Sequence, residues 1–235
     1  MTTATATRPN PLRGPTNTVR DISIRLHQGD TGLPVCATLP DNEYRDTFYT
    51  RPRHPLSIAE LPDTGEAYEY GCSVVTRQNA RTARKRGYRY ERIDRADWAD
   101  DLHAIRSSAP VRQGRAMPEA YMTRQEYGTD RWPAEHCRRH ASTVHGVIGP
   151  DEHLAGYMQV VQCGDVVRVN TILGHADKLR DCVMWLLMLE AARWHIDECG
   201  ARWFLYYTHA SGHGPGLRYF KERLGFRPAR VEWLP

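Results

Sequence analysis

The chain reads WFLYYTHASGHGPGLRYFKERLGFRPARVEW over residues 203–233, and this stretch decides the fold. Residues 203–208 are aromatic and apolar, as in a buried strand. The glycines in residues 212–216 allow a tight turn that can approach a ligand closely. The next apolar residues share one helical face: Leu217, Phe220 and Leu224. Gly225 is placed to end that helix in a left-handed cap, so the stretch predicts strand, turn, short helix and a last strand from Phe226.

The preceding residues predict the rest of a sheet. Strands are expected over residues 143–148, 154–163 and 166–173, with short turns between them. A long helix should follow residues 174–177 and end near Gly200. This order predicts an α/β (α+β) fold with a mixed, mostly antiparallel sheet flanked by helices.

The closing run of residues 220–226, Phe-Lys-Glu-Arg-Leu-Gly-Phe, resembles the last helix of the GNAT (Gcn5-related) acyltransferase superfamily. There the helix often ends in hydrophobic-Tyr-x-x-Leu-Gly-Phe, and the resemblance covers about residues 90–235. Lys221 stands where many acetyltransferases of the superfamily carry a tyrosine that protonates the thiolate leaving group. The Phe220–Lys221 pair is similar instead to that of the Fem-type aminoacyl transferases, which share the fold and take an aminoacyl group from tRNA.

The turn at residues 173–181 matches the place where acetyl-CoA-using GNAT proteins hold the CoA pyrophosphate on backbone N–H groups. It keeps a single glycine, Gly174, and it puts Asp177 and Asp181 where a diphosphate would lie. Capping of the following helix is the alternative role for these carboxylates. We therefore expect no cofactor, with acetyl-CoA as the alternative.

Three segments, residues 106–115, 173–177 and 216–221, also look like those of the GNAT-like amino acid:DNA transferases of phages that hypermodify thymine. In that group an amino acid nitrogen replaces an activated group on a 5-hydroxymethyluracil base in DNA. The resemblance implies DNA and a free amino acid as partners, together with an anionic leaving group.

Such chemistry needs a cation for the departing anion and a base for the incoming amine. Lys221 is the candidate cation, because its ammonium group is a compact point charge. His175 is favoured as the base over His209 and His213, because Asp177 could orient it, although a histidine in a turn is often structural. An ordinary surface position is the alternative for Lys221. The expected substrate-binding residues lie in the loops around these groups: Arg112, Arg115, Gly174, His209, Gly214 and Gly216.

Residues 77–92 carry seven basic side chains in sixteen positions, with Tyr88 and Tyr90 among them. Arginines can bind phosphates and tyrosines can stack on bases, so the segment predicts a nucleic-acid-binding surface. Its members would be Arg81, Arg84, Lys85, Arg86 and Arg89. The alternative is a solvated helix face followed by a strand.

The chain is expected to divide into a disordered arm (residues 1–20), an N-terminal extension (21–90) and the GNAT-like transferase domain (91–235). Within the extension, the residue pattern predicts a hairpin over residues 21–39. At most one helical turn is expected near residues 57–60, and a strand over 68–75. A helix over residues 94–105, with Asp94 as its N-cap, should open the domain.

Composition excludes some classes of protein. With 40% hydrophobic and 26% charged residues and a net charge of +4, the chain resembles an ordinary soluble protein. No apolar run approaches the roughly 20 residues of a membrane span, and six scattered cysteines favour the cytoplasm over a disulfide framework. His136, Cys137 and His140 lack a further ligand at helical spacing, so no metal is expected.

The residues leave three functions open. The first is transfer of an amino acid onto modified DNA, and the second is acetyl-CoA-dependent N-acetylation of a small molecule or protein. The third is nucleic-acid binding without catalysis on a GNAT scaffold. The turn at residues 174–181 and Lys221 separate the first two, and the basic segment would matter most in the third.

Overall fold

The computed structural model describes residues 18–25, 54–112, 114–128, 139–208 and 215–234. The strands in chain order are β1 (Arg20–Arg25), β2 (Leu56–Glu60), β3 (Arg89–Arg92), β4 (Val111–Arg112), β5 (Arg115–Ala116), β6 (His140–Ile148), β7 (Leu154–Cys163), β8 (Val166–Gly174), β9 (Trp203–Thr208) and β10 (Arg227–Leu234). The helices are α1 (Gly65–Gly71), α2 (Val74–Lys85), α3 (Ala99–Ser107), α4 (Glu119–Met122), α5 (Val183–Cys199) and α6 (Pro215–Arg223), with a 3-10 helix over Ala176–Asp181 before α5.

Eight strands form one sheet in the order β1-β10-β2-β9-β8-β7-β6-β3, and β4 and β5 form a separate two-stranded ribbon. Neighbouring strands of the large sheet are antiparallel except for two parallel pairs, β1–β10 and β8–β9. The predicted fold class is therefore confirmed. In the described ranges, no helix has the length and apolar composition needed to cross a bilayer.

Helices cover both faces of this sheet. Met158 of β7 packs in the largest core cluster together with residues of α1, α2 and α5. The preceding residue, Tyr157, packs instead with Leu102 and Ile105 of α3. Because successive strand residues point to opposite faces, α5 and α3 lie on opposite sides of the sheet. A third cluster, which includes Ile24, fills the region where β1, β2 and β10 meet.

Several predicted elements are confirmed at or near their expected ends. The strands expected over residues 154–163 and 203–208 are β7 and β9. Gly200 and Gly225 follow α5 and α6 with φ of +62° and +90°, the left-handed conformation that glycine adopts without strain. The long helix begins later than expected, because residues 176–181 form the 3-10 helix first.

Two short elements of the N-terminal part were predicted wrongly. Residues 57–60, expected to form a helical turn, belong to strand β2, which lies buried between β9 and β10. Residues 68–75, expected to form a strand, belong to α1 and the start of α2. The Thr64 side chain caps α1 by accepting a hydrogen bond from the Ala67 amide (3.2 Å). Burial against neighbouring elements decides whether such a short segment forms a helix or a strand, and the local residue pattern does not reveal that burial.

The start of α3 also differs from the prediction. Asp94 does not cap this helix, which begins at Ala99 after Trp98. The Asp94 carboxylate accepts a hydrogen bond from the Ala96 amide (3.1 Å) and closes a local turn instead. The expected helical face is nevertheless formed, because Leu102 and Ile105 are both fully buried.

The N-terminal extension and the rest of the described chain share one sheet. β1 pairs in parallel with β10, and β2 lies between β9 and β10. Most of the predicted arm, the remainder of the predicted hairpin, and the residues His136 and Cys137 lie outside the described residues. The division of the chain at residues 20 and 90 stays a prediction.

A chain of buried hydrogen bonds connects β3, β6 and α5. Gln162 donates to two backbone carbonyls, so its oxygen is left to accept from His195 Nδ1 (2.7 Å). The neutral His195 ring therefore accepts at Nε2, which lies 3.1 Å from His145 Nε2 and 3.4 Å from the Thr143 hydroxyl, and His145 Nδ1 is hydrogen-bonded to the Tyr90 hydroxyl (2.7 Å). Burial, together with the positive charge of Arg92, lowers the pKa of His145 to about 3 and that of His195 well below its usual value.

This network should make the protein sensitive to acid. In the unfolded chain both histidines have a pKa near 6.5 and become protonated as the pH falls below it. In the folded protein their pKa is far lower, so they stay neutral. The free energy of unfolding should therefore decrease as the pH falls from about 6.5 towards 3, by about 2 kcal/mol per histidine at pH 5. Urea unfolding at pH 7.5, 6 and 5 measures this slope.

Two variants provide the comparison. His195→Gln should be less stable at pH 7.5, because the hydrogen-bond chain is broken, but its stability should depend less on pH below 6.5. His54 is exposed, so His54→Gln should keep the wild-type slope. If the free energy of unfolding falls equally steeply with decreasing pH in His195→Gln and in wild type, the acid sensitivity does not come from His195.

Candidate active site

The candidate site lies where β8 and β9 separate. These parallel strands pair only from Val166 to Arg168 of β8, which face residues 203–205 of β9. Beyond Arg168, β8 continues to Gly174 and β9 to Thr208 without further pairing between them. The two strand ends therefore form the sides of a wedge.

A β-bulge lies on each side of the wedge. In β8, Asn170 is the extra residue, because Gln159 and Val160 of β7 pair with residues 171 and 169. In β9, the pairing with β2 shifts across Tyr206 and Tyr207, and Tyr207 has φ of +50°. A left-handed tyrosine is uncommon and is held by its surroundings. Here the Tyr207 hydroxyl donates to the Asn170 carbonyl and so joins the two bulges.

The wedge opens into a cleft of about 790 Å³. Its walls come from the ends of β8 and β9, the start of α6, and the segment between α3 and α4. The last residues of β8 meet the first residues of α6 here: Leu173, Gly174, Gly216, Leu217 and Phe220. Residues of both turns that the sequence singled out thus line one cleft.

The electrostatic character of the cleft is positive. Among the residues described, its lining contains Arg112 but no aspartate or glutamate. The Arg112 guanidinium donates to the Gly174 carbonyl (2.9 Å), the Ile105 carbonyl (2.6 Å) and the Ser108 hydroxyl (2.9 Å). Burial lowers the pKa of Arg112, and its acceptors carry no formal charge. The cleft therefore favours an anionic group.

Arg106 places a second cation next to the cleft. Its Nε donates to the Tyr157 hydroxyl (3.0 Å) and its Nη1 to the Gln125 oxygen (2.6 Å). Its guanidinium also lies within 5.3–5.8 Å of the ring centroids of Tyr121, Tyr127 and Tyr157. Tyr121 lines the cleft, so this buried arginine holds one wall of it in place.

Lys221 is buried, with 1% of its surface exposed, so the alternative of an ordinary surface lysine is wrong. Its Nζ donates to the Tyr206 carbonyl (2.8 Å) and lies 4.4 Å from the centroid of the Tyr206 ring. Burial lowers its pKa to about 8. Tyr206 and the preceding residue Phe220 line the cleft, and Lys221 therefore lies directly behind its wall.

His175 and Asp177 are arranged differently from the predicted pair of base and orienting acid. His175 Nδ1 accepts a hydrogen bond from the Asp177 backbone amide (3.3 Å) and caps the 3-10 helix. The nearest Asp177 carboxylate oxygen is 3.9 Å from this nitrogen, and the Asp177 side chain is largely exposed. Gly174 and Ala176 line the cleft on either side of His175. A catalytic role for His175 and Asp177 stays a prediction.

The remaining predicted substrate-binding residues are only partly described. Gly216 lines the cleft at the start of α6. Arg115 lies in β5, with its side chain outside the described atoms, and His209 and Gly214 lie outside the described residues. Gly174 closely approaches α5 and the 3-10 helix, since a Cβ there would meet Met184 Sδ at 2.6 Å and Leu179 Cδ2 at 2.7 Å.

In the described ranges, no group of three or more His, Cys, Asp or Glu side chains is placed to hold a metal ion.

Sequence reasoning missed the residues that shape the wedge, namely Asn170, Tyr206 and Tyr207. The residue pattern does not predict a bulge in a buried strand, because the bulge depends on the register with the neighbouring strand. The sequence signal that was present is the Tyr206–Tyr207 pair at the end of an apolar strand just before a glycine-rich turn.

The basic segment forms helix α2 and strand β3, and three of its five predicted nucleic-acid-binding cations are paired with carboxylates. Arg84 pairs with Glu69 and Glu190, Arg86 with Asp181, and Arg89 with Glu91 and Glu152. Arg81 and Lys85 are exposed. Nucleic-acid binding by this segment stays a prediction, with Arg81 and Lys85 as its least neutralised cations.

Comparison with solved structures finds proteins of similar fold. FemX aligns with a TM-score of 0.57 and 10% identity over 77% of this chain and 60% of its own. The C-terminal domain of a putative lysylphosphatidylglycerol synthetase from Agrobacterium fabrum aligns with a TM-score of 0.49 and 14% identity, over 74% of this chain and 58% of that one. A GCN5-related N-acetyltransferase from Kribbella flavida aligns with a TM-score of 0.42 and 15% identity, over 80% of this chain and 60% of that one.

The chain thus spans about three-fifths of the length of these structures. No protein-family model and no curated protein matches its sequence. The FemX alignment defines the fold of the chain as GNAT-like, which confirms the predicted resemblance at the level of the fold.

Burying a charged lysine should lower the stability of the protein. With its pKa lowered from 10.5 to about 8, Lys221 opposes folding by about 3 kcal/mol at pH 7. Lys221→Met keeps the side-chain volume and loses the hydrogen bond to the Tyr206 carbonyl, worth about 1 kcal/mol. We therefore expect the free energy of unfolding to rise by about 1–2 kcal/mol in urea titrations at pH 7.

The increase in the free energy of unfolding of Lys221→Met should depend on pH. Because the folded pKa is lower than the unfolded one, the wild-type free energy of unfolding rises between about pH 8 and 10.5, and the advantage of Lys221→Met shrinks there. Lys85→Met, at an exposed lysine, should give no such gain. A loss of stability in Lys221→Met at pH 7 would show that the ammonium group is a structural support.

Proposed function

We propose that this protein is a transferase that moves an amino acid onto a nucleic-acid base. The acceptor we propose is a modified thymine, derived from 5-hydroxymethyluracil, in phage DNA. The observation that carries the proposal is Lys221, a buried cation directly behind a cleft whose described lining has no carboxylate. The GNAT-like fold supports the broader class of aminoacyl or acetyl transferases.

The chemistry follows from the charges around the cleft. The amine nitrogen of the amino acid forms a bond to the methylene carbon of the base, and the bond from that carbon to a phosphate oxygen breaks. The leaving phosphate takes the electron pair, and the amine loses a proton to a base. Lys221 and Arg112 provide positive charge where negative charge develops. With a pKa of about 8, Lys221 is mostly protonated at pH 7.

His175 is the proposed base. In the geometry described, its Nδ1 accepts from the Asp177 amide, so this ring nitrogen must release the amide before it takes a proton from the substrate. The 3-10 helix that the histidine caps would rearrange in the same step. The proposed base therefore acts only if the turn after β8 moves.

The same turn does not fit the pyrophosphate of CoA. Its first amides are already hydrogen-bonded within the protein: Ala176 to the Ser108 hydroxyl (3.0 Å), Asp177 to His175 Nδ1 (3.3 Å), and Lys178 to the His175 carbonyl (3.0 Å). The nearby Lys178 ammonium is paired with Asp151 (2.9 Å). The groups that would hold a diphosphate are thus engaged, which favours a reaction without acetyl-CoA over the N-acetyltransferase alternative.

Binding of CoA should accordingly be weak. We expect isothermal titration with CoA and with acetyl-CoA to show no dissociation constant below about 100 μM. A GNAT acetyltransferase with a complete glycine-rich pyrophosphate turn serves as the positive control. A constant in the low micromolar range, about −8 kcal/mol, would support the acetyltransferase instead.

The transfer itself can be tested on defined DNA. An oligonucleotide with one phosphorylated or pyrophosphorylated 5-hydroxymethyluracil is incubated with the protein and a mixture of amino acids, then digested to nucleosides for mass spectrometry. We expect a nucleoside in which an amino acid is joined through its nitrogen to the base methylene carbon. Acetylated amines formed from acetyl-CoA would contradict the proposal, and DNA binding without modification would favour the non-catalytic function.

Substitution of Lys221 should affect turnover more than binding. Lys221→Met should lower kcat by about 10²–10³ with little change in DNA affinity, because the cation acts on charge that develops in the transition state. In wild type, kcat should fall as the pH rises through about 8, where Lys221 loses its proton. Lys221→Arg should restore part of the turnover and remove this decline, since arginine stays charged.

Arg202→Gln is the matched control, because it removes an exposed charge just before β9, at the other end of that strand from the wedge, and should leave kcat unchanged. Rates of Lys221→Met within threefold of wild type would contradict the role of the ammonium group. An unchanged decline above pH 8 in Lys221→Arg would assign the titration to another group.

A further inference from the structure

A second concave surface lies on the other side of helix α6. It has a volume of about 410 Å³ and is formed by the junction of α1 and α2, the last turns of α6 and the first residue of β10. We call it the arginine groove, and its main residues are Val74, Arg77, Tyr219, Arg223 and Arg227. Leu217 and Phe220 of α6 face the candidate active site, so this one helix separates the two surfaces.

The arginine groove is positively charged. Three arginines line it, and Glu222 is the acidic residue among its described lining. Glu222 is itself paired with Arg218 (2.8 Å), which adds a fourth arginine at the edge. A surface with this excess of guanidinium groups attracts phosphates.

Two of the arginines are held in place by neutral acceptors. Arg77 donates to the carbonyls of Cys72 (2.7 Å) and Tyr70 at the end of α1. Arg227, which is buried, donates to the carbonyls of Glu222 and Phe226, both at 2.9 Å. These backbone carbonyls orient the two guanidinium groups, so their position in the arginine groove is fixed.

Exposed aromatic rings flank these charges. Tyr70 is 72% exposed, with the Arg77 guanidinium 5.7 Å from its ring centroid. Tyr219 is 43% exposed, with the Arg223 guanidinium 4.8 Å from its ring centroid. Open tyrosine faces beside arginines are suited to unpaired bases and their phosphates, because bases stack on the rings while guanidinium groups bind the backbone.

We infer that the arginine groove binds a single-stranded segment of nucleic acid. Arg77, Arg223 and Arg227 bind its phosphates, and Tyr70 and Tyr219 stack on its bases. A helix is about 10 Å across, so a strand held here passes α6 and reaches the cleft with a neighbouring nucleotide. The inference rests on the proposed function in taking nucleic acid as the substrate, but binding alone tests it.

The test is fluorescence anisotropy with a labelled single-stranded DNA 12-mer, and with RNA and duplex DNA of the same sequence. We expect the single strands to bind more tightly than the duplex. The logarithm of affinity should fall with the logarithm of salt concentration with a slope of about −2, for three phosphates on a single strand. Duplex binding as tight as that of the single strands would overturn the stacking role.

The decisive variants are Tyr219→Ala and Arg223→Gln. Neither side chain has a described hydrogen bond that holds the fold, because the bonds of Arg223 to Ser73 and Thr76 use its backbone carbonyl. Tyr219→Ala should weaken binding at least about fivefold, whereas Tyr219→Phe should bind like wild type. Arg223→Gln should reduce the salt slope by about 0.7. Thermal unfolding checks that each variant remains folded.

The double variant Arg81→Gln/Lys85→Gln separates the two candidate surfaces, since it removes two exposed charges of the predicted nucleic-acid-binding segment and none of the arginine groove. It should keep most of the affinity. A large loss there, with unchanged binding by Tyr219→Ala and Arg223→Gln, would place the strand on α2 instead. Equal competition by pyrophosphate or by polyglutamate would show an unspecific anion site and overturn the inference.

Failure of this inference differs from failure of the proposed function. If the variants bind DNA like wild type and base modification still occurs, the arginine groove is not the binding surface but the transferase stands. If these variants lose DNA binding while the wild-type protein modifies no base, the arginine groove is the binding surface and the proposed transferase reaction is wrong.

Discussion

The divergence of β8 from β9 is the constraint on which the candidate site depends. Once the strands separate beyond Arg168, their facing backbone groups lose the partners that a continuous sheet would supply. Bulges at Asn170 and at Tyr206–Tyr207 turn these groups away from regular pairing, and the Tyr207 hydroxyl joins the two sides through the Asn170 carbonyl. The cleft exists because the wedge is held open in this way.

The charges around the wedge follow one physical rule. Arg106 and Arg112 lie in or behind the cleft walls, and their described hydrogen bonds go to carbonyl, hydroxyl and amide oxygens without formal charge. Withdrawing cations from water in this way lowers stability, and a carboxylate at each would have reduced the cost. An anionic group bound in the cleft would offset part of this cost. The ion pairs of Arg84, Arg86 and Arg89 on α2 and β3 show the opposite arrangement, suited to an exposed surface.

The reliability of sequence reasoning followed the length and regularity of each segment. β7 and β9 were placed correctly, since a buried strand bounded by turn residues has a recognisable pattern. β2 and α1 were not, because segments of five and seven residues fit several patterns and only burial beside β9, β10 and α5 selects one. In the candidate site, Lys221, Arg112, Gly174 and Gly216 could be found from the sequence by their position at turns and on a helix that ends in glycine.

The sequence by itself determined the order of the strands and helices from β6 to β10, the glycine caps of α5 and α6, and the placement of a lysine after an aromatic residue on the closing helix. These features depend on residues close together in the chain, where periodicity and backbone preference act directly. Only the tertiary structure decided that Lys221 is buried behind Tyr206, that His175 caps a 3-10 helix, and that two bulges open the wedge. Those features depend on strand register and on packing between residues distant in the chain, which no local pattern contains.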